Sequence, residues 1–520
     1  MLPIEIGDLT LTPKTGVLQR DLYDAIREKI TRGLWNKQGR LPATRKLAQA
    51  LNVSRNTVIA VYEQLSAEGY IESRAGSGYY VAVELPEHYL GEMAISPAQE
   101  KSIAEFTAEL EPIKINRAFA PGVPDLEKFP LPEWQKYLQR QHSRRTILGN
   151  QIVKGDYALR CALVDYLASS RSVQCQAEQI IITSGAQQAL TIALMCAKEA
   201  SDRLLMEQPG YSQMRKVACL LGMPMEPLNV AVRSGIDVAD VLASECRFVY
   251  LTPSNQYPMG TTLSTEQRVQ IIEWARVKQR WIIEDDYDSE FQFAHRPYTS
   301  LQGLASQIGA SDRVMYIGSF SKIMFNGLRL GYLVLPPELV DRGCEIKDAL
   351  SGDSPTHTQA ALAEFIADGA LMRHIRKMRR LYAQKYQTMV TSIERHFAQR
   401  LEVISQAAGL HVTVRWFEGP SEQQWAAAGL KQGIVIRPLS YYESEACAPR
   451  DWQGAVLGFG NVAEEEIDAK LALLASSLYW QACLSKYRPI NKEANLCVAG
   501  WPTKESLSIS TNWFMSQNIH

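Results

Sequence analysis

Residues 314–332 have the sequence VMYIGSFSKIMFNGLRLGY. An apolar run of strand type leads into Gly318 and Ser319, and Lys322 follows in a short turn. Arg329 lies seven residues beyond the lysine. Open α/β sheets bind their ligands at the carboxyl ends of the strands. This stretch therefore predicts a strand that ends in a ligand-binding turn.

Short apolar runs of the same kind recur along the large C-terminal part of the chain. They lie at residues 179–183, 203–206, 248–251, 281–283 and 330–335, and they alternate with helical patterns such as 186–198 and 265–278. Strands that alternate with helices favour an α/β domain built on a mostly parallel sheet. We expect this domain to span residues 116–480.

The N-terminal part is typical of a small winged helix-turn-helix. Apolar residues at helical spacing run from Leu18 to Ile30, and a second helix is predicted over 43–51. Ser54 is a suitable N-cap for a third helix, and two short strand patterns then flank the turn at 76–78. We assign residues 1–81 to this domain.

Length and composition agree with a division into domains. At 520 residues and 46% apolar content, the chain exceeds what one hydrophobic core supports, so at least two domains are expected. Residues 82–115 lack a clear strand pattern and are interpreted as a linker. Residues 481–520 are interpreted as a tail of unknown role.

Composition also excludes several classes of protein. The formal net charge of −1 favours no particular partner, and the nine cysteines are scattered without a C-x-x-C pair. A disulfide scaffold or a zinc site is not indicated, and no metal is predicted. The N-terminus lacks a secretory pattern, and no apolar run reaches the length of a bilayer span. We expect a cytoplasmic protein without a membrane partner.

Two further segments extend the pattern around Lys322. The predicted strand 281–283 runs into Glu-Asp-Asp-Tyr-Asp at 284–288, and the strand 179–183 runs into Ser-Gly-Ala-Gln, which opens a helix. Pyridoxal 5'-phosphate (PLP) needs a lysine for a Schiff base, an anion at its pyridine nitrogen, and hydroxyls, N–H groups and an arginine around its phosphate. All are present, so PLP is the predicted cofactor.

Each of these residues receives an expected role in binding the cofactor, and no residue is assigned a catalytic role. Lys322 would form the Schiff base, Asp285 would pair with the pyridinium, and Tyr287 would hydrogen-bond the ring hydroxyl. Tyr211, which follows a Pro-Gly pair, is a candidate to stack on the ring, although such a tyrosine is as often a core residue. The groups expected to hold the phosphate are Ser319, Ser321, Arg329, Gly185, Ala186 and Gln187.

The N-terminal motifs carry a resemblance of their own. LPATRKLA at 41–48, LNVSRNTV at 51–58 and RAGSG at 74–78 resemble the GntR-type winged helix, over about residues 16–81. The resemblance implies that the domain binds double-stranded DNA, with the third helix in the major groove and the wing near the minor groove. The alternative is a small helical domain with solvated arginines. The residues expected to contact DNA are Arg45, Ser54, Arg55, Asn56, Thr57, Arg74, Gly76 and Ser77.

The large domain resembles the fold-type I aminotransferase-like domain of the MocR/GabR branch of the GntR family. Further matches are FAPGVPD at 119–125, TPSNQYP at 252–258 and RHIRKMRR at 373–380, and the resemblance spans nearly all of 116–475. It implies a PLP-binding transcriptional regulator that acts as a homodimer and responds to a small-molecule effector.

Two other interpretations fit some of the same residues. The segment from Ser319 to Lys322 fits S-x-x-K, the acylating motif of penicillin-binding proteins, but no Ser-Asp-Asn occurs and the one Lys-Thr-Gly lies at 14–16. The acidic cluster of Asp285, Asp286 and Asp288 would alternatively hold a divalent metal or solvate a turn.

Three departures from the family pattern bear on function. Val456 stands where an aminotransferase arginine would bind the substrate carboxylate, and Arg437 is a candidate to replace it. The stretch 148–155 lacks the family's Tyr-Gly-Asp-Pro, and Asn326 replaces a proline. These changes favour a sensor over an enzyme. An active aminotransferase with an appended DNA-binding domain and a DNA-binding protein with a dead ligand domain are the alternatives.

Overall fold

The computed structural model describes residues 18–83, 117–293, 298–444 and 450–476. The chain divides into two compact units, Met1–Glu111 and Pro112–His520. Nearly all of the predicted linker and the whole of the predicted tail, residues 481–520, lie outside the described residues. Those two assignments stay predictions.

The first unit is a winged helix-turn-helix. Its elements are α1 (Leu18–Thr31), α2 (Thr44–Ala50), α3 (Arg55–Ala67), β1 (Ile71–Arg74) and β2 (Gly78–Val81). The two strands form an antiparallel hairpin in which Ile71 lies opposite Val81. The order of elements agrees with the order predicted from the sequence.

Helical spacing and a cap explain why this small unit folds. Leu22, Ile26, Val61 and Leu65 are completely buried between α1 and α3, so the apolar faces of the two helices form the core. The Ser54 hydroxyl accepts a hydrogen bond from the backbone N–H of Thr57 at 3.0 Å. A serine cap of this kind stabilises a helix by about 1 kcal/mol.

The second unit is built on an eight-stranded sheet in the order β3-β10-β9-β8-β7-β4-β5-β6. Strands β9, β8, β7, β4 and β5 are parallel neighbours, whereas β10 and β6 pair antiparallel. The predicted α/β fold on a mostly parallel sheet is confirmed. The strands are β3 (Ile180–Thr183), β4 (Leu204–Gln208), β5 (Met225–Ala231), β6 (Gly235–Ile236), β7 (Phe248–Leu251), β8 (Trp281–Asp286), β9 (Val314–Ser319) and β10 (Gly331–Val334).

Helices cover both faces of this sheet, which explains the nearly continuous apolar runs of its strands. Successive residues of one strand pack in different clusters: Ile181 lies with the helix that follows β3, and Ile182 lies with helices on the other face. No helix among the described residues is long and apolar enough to cross a membrane. The helices are α4 (Leu131–His142), α5 (Tyr157–Arg171), α6 (Ala186–Ala197), α7 (Ser212–Leu220), α8 (Val238–Ala243), α9 (Thr265–Lys278), α10 (Leu301–Gln307), α11 (Val340–Ser351), α12 (Thr356–Ala367), α13 (Ala370–Phe397), α14 (Glu422–Lys431) and α15 (Glu464–Ser476).

A second, smaller sheet was not predicted from the sequence. It is antiparallel, in the order β11-β12-β14-β13, and packs with α13 and α15 around Trp416 and Trp425. Its strands are β11 (Glu402–Val403), β12 (His411–Trp416), β13 (Arg437–Pro438) and β14 (Gln453–Gly458). The loop after β13 carries side chains to the cavity described next.

Candidate cofactor site and nucleic-acid interface

A cavity of about 280 Å³ opens at the carboxyl ends of β7, β8 and β9. Nine of the ten predicted cofactor residues line this cavity: Ala186, Gln187, Tyr211, Asp285, Tyr287, Ser319, Ser321, Lys322 and Arg329. The tenth, Gly185, adjoins the cavity wall, because a Cβ built on it would lie 3.4 Å from Arg329 Nη2. The sheet therefore brings together residues that are more than 140 positions apart in the sequence.

Lys322 is held on one wall of this cavity by a backbone carbonyl. Its Nζ donates to the carbonyl oxygen of Gly122 at 2.6 Å, and Asn326 Nδ2 donates to the same oxygen at 3.1 Å. Desolvation lowers the pKa of Lys322 to about 8, although the carboxylates of Asp288 and Asp285 act in the opposite direction. A large fraction of the amine is therefore neutral, and so nucleophilic, near that pH.

Asp285 offers the cavity an acceptor without a donor. Its carboxyl group is buried; Oδ2 accepts from the Tyr250 hydroxyl at 2.8 Å, and Oδ1 has no partner among the described residues. Burial raises the pKa of Asp285 to about 7, while the Tyr250 bond and the charge of Lys322 oppose the increase. A buried acceptor without a partner is costly. A protonated ring nitrogen would supply the missing donor, so this acid fits the pyridinium of PLP.

The opposite end of the cavity is built to bind an anion. Gly185, at φ +87°, ends the turn that starts α6, and the first backbone N–H groups of that helix lie beside Arg329. The hydroxyls of Ser319 and Ser321 lie 3.2 Å apart on the facing turn. A helix N-terminus, an arginine fork and two hydroxyls are suitable phosphate ligands.

The two predicted tyrosines take different positions around the cavity. Tyr211 is half-buried and meets the ring of Tyr257 edge-on, with 6.0 Å between the ring centres. The hydroxyl of Tyr287 already donates to the backbone oxygen of Asn255 at 2.9 Å. For Tyr287 to donate to a ring hydroxyl, it must exchange that bond.

The acids beside Asp285 have separate partners. Asp286 accepts from Arg171 Nε at 2.5 Å and from the Tyr316 hydroxyl at 2.6 Å, and Asp288 accepts from Asn255 Nδ2 at 3.0 Å. Asp285, Asp286 and Asp288 are all buried, and Asp285 and Asp286 lie within β8. The alternative that they solvate a turn is wrong. Among the described residues, no three potential metal ligands come together.

Sequence reasoning missed part of the cavity wall. Tyr250 lies near the end of β7, next to β8, so the rule that ligands bind at carboxyl strand ends was a sufficient signal. Thr252 and Tyr257 belong to the motif at 252–258, but the motif predicted no role for either. Tyr441 and Tyr442 come from the loop after β13, and no local pattern points to them.

The first turn of α3 is accessible, as a DNA-reading helix requires. Arg45, Arg55 and Asn56 are exposed, whereas Thr57 is half-buried. The Ser54 hydroxyl lies 2.8 Å from the Thr57 hydroxyl in addition to capping the helix. These two hydroxyls position the helix start, while the arginines and the asparagine stay free to contact a ligand.

The turn of the β1–β2 hairpin is also exposed, but two of its side chains are engaged within the hairpin. Arg74 donates to Glu72 Oε1 at 2.8 Å and lies over the ring of Tyr80, 4.3 Å from its centre. The Ser77 hydroxyl lies 2.6 Å from the Tyr80 hydroxyl. Gly76, at φ +72°, leaves the tip of the turn open.

Comparison with known proteins identifies both units. The model of the bacterial regulatory proteins of the gntR family matches residues 18–81, and the model of aminotransferase class I and II matches residues 118–450. The chain is 35% identical to the probable rhizopine catabolism regulatory protein MocR of Rhizobium meliloti, over 86% of this chain and 90% of that protein. The chain belongs to the MocR type of GntR-family regulators.

This MocR-type regulator is also similar in sequence to a second transcriptional regulator and in fold to an aminotransferase of known structure. The chain is 29% identical to the HTH-type pyridoxine biosynthesis transcriptional regulator PdxR of Corynebacterium glutamicum, over 88% of this chain and 95% of that one. Among solved structures it is similar to LysN, the α-aminoadipate aminotransferase of Thermus thermophilus. That similarity has a TM-score of 0.65 at 22% identity and covers 74% of this chain and 99% of LysN.

The aminotransferase-type unit of this MocR-type regulator binds PLP. Its family is that of class I and II aminotransferases, and the residues in the cavity fit the cofactor. The strongest part of that fit is the buried oxygen of Asp285 that has no donor among the described residues.

Proposed function

We propose that this MocR-type regulator binds specific DNA as a dimer, and that PLP, or an amine or amino-acid effector linked to PLP, changes its affinity for DNA. The observation that carries the proposal is the cavity that combines the Lys322 amine with an Asp285 oxygen that has no partner among the described residues. A cavity of this kind lies in the same chain as a winged helix with an accessible recognition helix.

PLP would supply a reactive aldehyde on an electron-withdrawing ring. In our proposal Lys322 would bind the aldehyde carbon, whose oxygen would leave as water, and Asp285 would keep the ring nitrogen protonated. Tyr211 would cover one face of the ring, and Tyr287 would contact its hydroxyl oxygen. Arg329 would hold the phosphate together with Ser319, Ser321 and the backbone of Gly185, Ala186 and Gln187.

Asn326 acts as a positioning residue in this proposal. The carbonyl oxygen of Gly122 accepts from both Lys322 Nζ and Asn326 Nδ2. When the lysine amine moves to the cofactor, the asparagine keeps a donor on that oxygen. The departure of Lys322 then leaves no unpaired acceptor behind, which lowers its free-energy cost.

The exposed first turn of α3 supports DNA reading in the major groove. We propose that Arg55, Asn56 and Thr57 lie at base edges after the Ser54 cap, since an arginine fork pairs well with guanine. Arg45 would contact a phosphate. The wing, with Arg74, Gly76 and Ser77, would lie along the minor groove.

Exposed apolar side chains support a dimer. Leu148 is 69% exposed, Ile152 is 63% exposed and Tyr157 is 57% exposed, and all three precede or begin α5. Large apolar side chains that remain exposed on one short segment are typical of an interface. A dimer would present two winged helices to two DNA half-sites. Light scattering at several protein concentrations measures the oligomeric state.

One experiment distinguishes the proposed function from its alternatives. DNA binding is titrated with and without PLP while the cofactor spectrum is recorded against a panel of amines. We expect a change in DNA affinity of about 5- to 150-fold, the usual range of allosteric coupling, without turnover. Lys322→Ala, as the matched control, should retain no covalently bound PLP after borohydride reduction.

The lysine, the acid and the side chains that suit a phosphate are all present, so an active aminotransferase is the alternative function. An active aminotransferase predicts release of a keto product and conversion of the cofactor to its amine form. A DNA-binding protein with a dead ligand domain predicts DNA binding that is indifferent to PLP. Either result would overturn the sensor proposal.

A further inference from the structure

Three cations line the cavity, and the proposed function uses only two of them. Lys322 and Arg329 serve the cofactor, whereas Arg437, from β13, has no role in binding PLP. Arg437 is half-buried and makes no hydrogen bond or ion pair with any other residue that the structure describes. Its guanidinium lies over the ring of Tyr441, 4.8 Å from the ring centre.

We propose that Arg437 binds the carboxylate of the effector, so that the effector is an amino acid rather than a simple amine. This inference rests on the proposed function, because the amine of the same molecule would react at the cofactor. It concerns a residue of the small C-terminal sheet that the cofactor itself does not need.

The register of the small sheet supports the assignment. Val456 of β14 is completely buried and packs with Leu439 and Tyr442, so it offers no donor. Arg437 lies directly opposite Val456 in the antiparallel β13–β14 pair. Directly opposed residues of such a pair project to the same face, with Cβ atoms about 4.5–5.5 Å apart. The guanidinium therefore projects on the side where an arginine at 456 would project, but from the neighbouring strand.

The surroundings of Arg437 suit a carboxylate. The hydroxyls of Tyr257 and Tyr442, both in the cavity wall, lie 2.8 Å apart, so one of the two protons is left for another acceptor. Burial raises the pKa of Tyr442 to about 12, with the Tyr257 bond and the charge of Arg437 opposing the rise. The arginine is thus close enough to act on this hydroxyl electrostatically.

Charge balance then selects the class of ligand. A guanidinium that has no ion-pair partner among the described residues repels a protonated amine, whereas an amino acid brings a carboxylate that neutralises it. The planar fork of an arginine matches a carboxylate through two parallel hydrogen bonds. We therefore expect the distance between amine and carboxylate in the ligand to matter as well as its charge.

The test uses the full-length protein loaded with PLP. Spectra are recorded while it is titrated with unbranched amino acids, from glycine to ε-aminocaproate, and with the alkylamine of matching length for each. For wild type we expect at least one amino acid to bind more tightly than its alkylamine. Arg437→Met should weaken binding of that amino acid by about tenfold to hundredfold, and it should not weaken binding of the alkylamine, because it removes a like charge from the cavity. Arg437→Lys keeps the charge but not the planar fork, so its affinity for the amino acid should lie between those of wild type and Arg437→Met.

Arg415→Met is the matched control. Arg415 lies in the same small sheet and also stacks on an aromatic ring, that of Phe417 at 5.4 Å, but it does not line the cavity. This control should bind amino acids and alkylamines as wild type does. If Arg437→Met weakens both ligand classes equally, or neither, Arg437 does not bind a carboxylate.

Failure of this inference can be distinguished from failure of the proposed function. Borohydride-trapped PLP on Lys322 and PLP-dependent DNA binding are measured on wild type and on Arg437→Met. If both properties are present in both proteins while the amino-acid preference is unaffected, only the role of Arg437 is overturned. If wild type lacks them, the proposed function is overturned and this inference with it.

Discussion

A methyl group added at Gly122 should change both the stability of the cofactor-free protein and its affinity for PLP, because Gly122 contacts Lys322. Gly122 lies at φ +80°, and a Cβ built on it would collide with Lys322 Nζ. The control is Gly222, which lies after α7 at φ +60° and has no atom within 4 Å of the position that a Cβ would take. Gly122→Ala therefore adds both backbone strain and a collision, whereas Gly222→Ala adds strain alone.

The expected magnitudes follow from these contacts. A left-handed alanine costs about 1–2 kcal/mol at either position. At Gly122 the lysine must also leave the carbonyl that it contacts at 2.6 Å, and a hydrogen bond to a charged group contributes about 1.5–3 kcal/mol. The free energy of unfolding should fall by about 2.5–5 kcal/mol in Gly122→Ala and by about 1–2 kcal/mol in Gly222→Ala.

Two assays check this prediction. Urea denaturation of the cofactor-free protein gives the change in stability, and absorbance titration gives the affinity for PLP. We expect Gly122→Ala to bind PLP about 10- to 100-fold more tightly, since PLP binding moves Lys322 away from the added methyl group and each 1.4 kcal/mol corresponds to a factor of ten, and Gly222→Ala to bind it as wild type does. Equal losses of stability together with unchanged PLP affinity in both variants would refute the placement of Lys322 against Gly122.

Three further predictions concern the acid, the lysine and the winged helix-turn-helix. Asp285→Asn keeps a group for the Tyr250 bond but removes the anion, so PLP affinity measured by absorbance should fall about tenfold or more; unchanged affinity would argue against a pyridinium contact. Because desolvation lowers the pKa of Lys322 to about 8, the rate of covalent PLP uptake should rise with pH as the amine loses its proton and level off just above that value. A rate that keeps rising to the ordinary lysine pKa of 10.5 would show an amine that is still solvated. Arg45→Ala, on the helix before the DNA-reading helix, should weaken DNA binding and reduce the slope of log affinity against log salt by about 0.9, because Arg45 is the proposed phosphate contact; Arg32→Ala, which removes a residue paired with Glu28 on α1, should leave the slope unchanged.

The boundaries of two elements show where sequence patterns lose information. The strand predicted over 281–283 continues to Asp286 in the structure. Its last three residues are buried acids. A periodicity argument treats such carboxylates as the end of a strand, although Asp286 is neutralised by Arg171 in the interior. Strands β11 and β13 are only two residues long, so they have no pattern of their own and exist only through their pairing with β12 and β14.

The sequence by itself determined the winged helix, the α/β alternation and the set of groups that PLP requires. These features are local: Ser54 caps the helix that begins at the next residue, and Lys322 and Arg329 belong to one turn after one strand. Propensity, spacing and capping act over a few residues, so they can be recognised without knowledge of the rest of the chain.

Only the tertiary structure decided which of these groups share a cavity and what each one contacts. Asp285 faces the cavity and Asp286 faces Arg171, although the two acids are adjacent in the sequence. Arg437 lies opposite Val456 because of strand register, which depends on packing between segments and not on any pattern within either one. The side of a sheet to which a charged residue projects, and the partner that neutralises it, are therefore set by contacts that form only when distant segments come together.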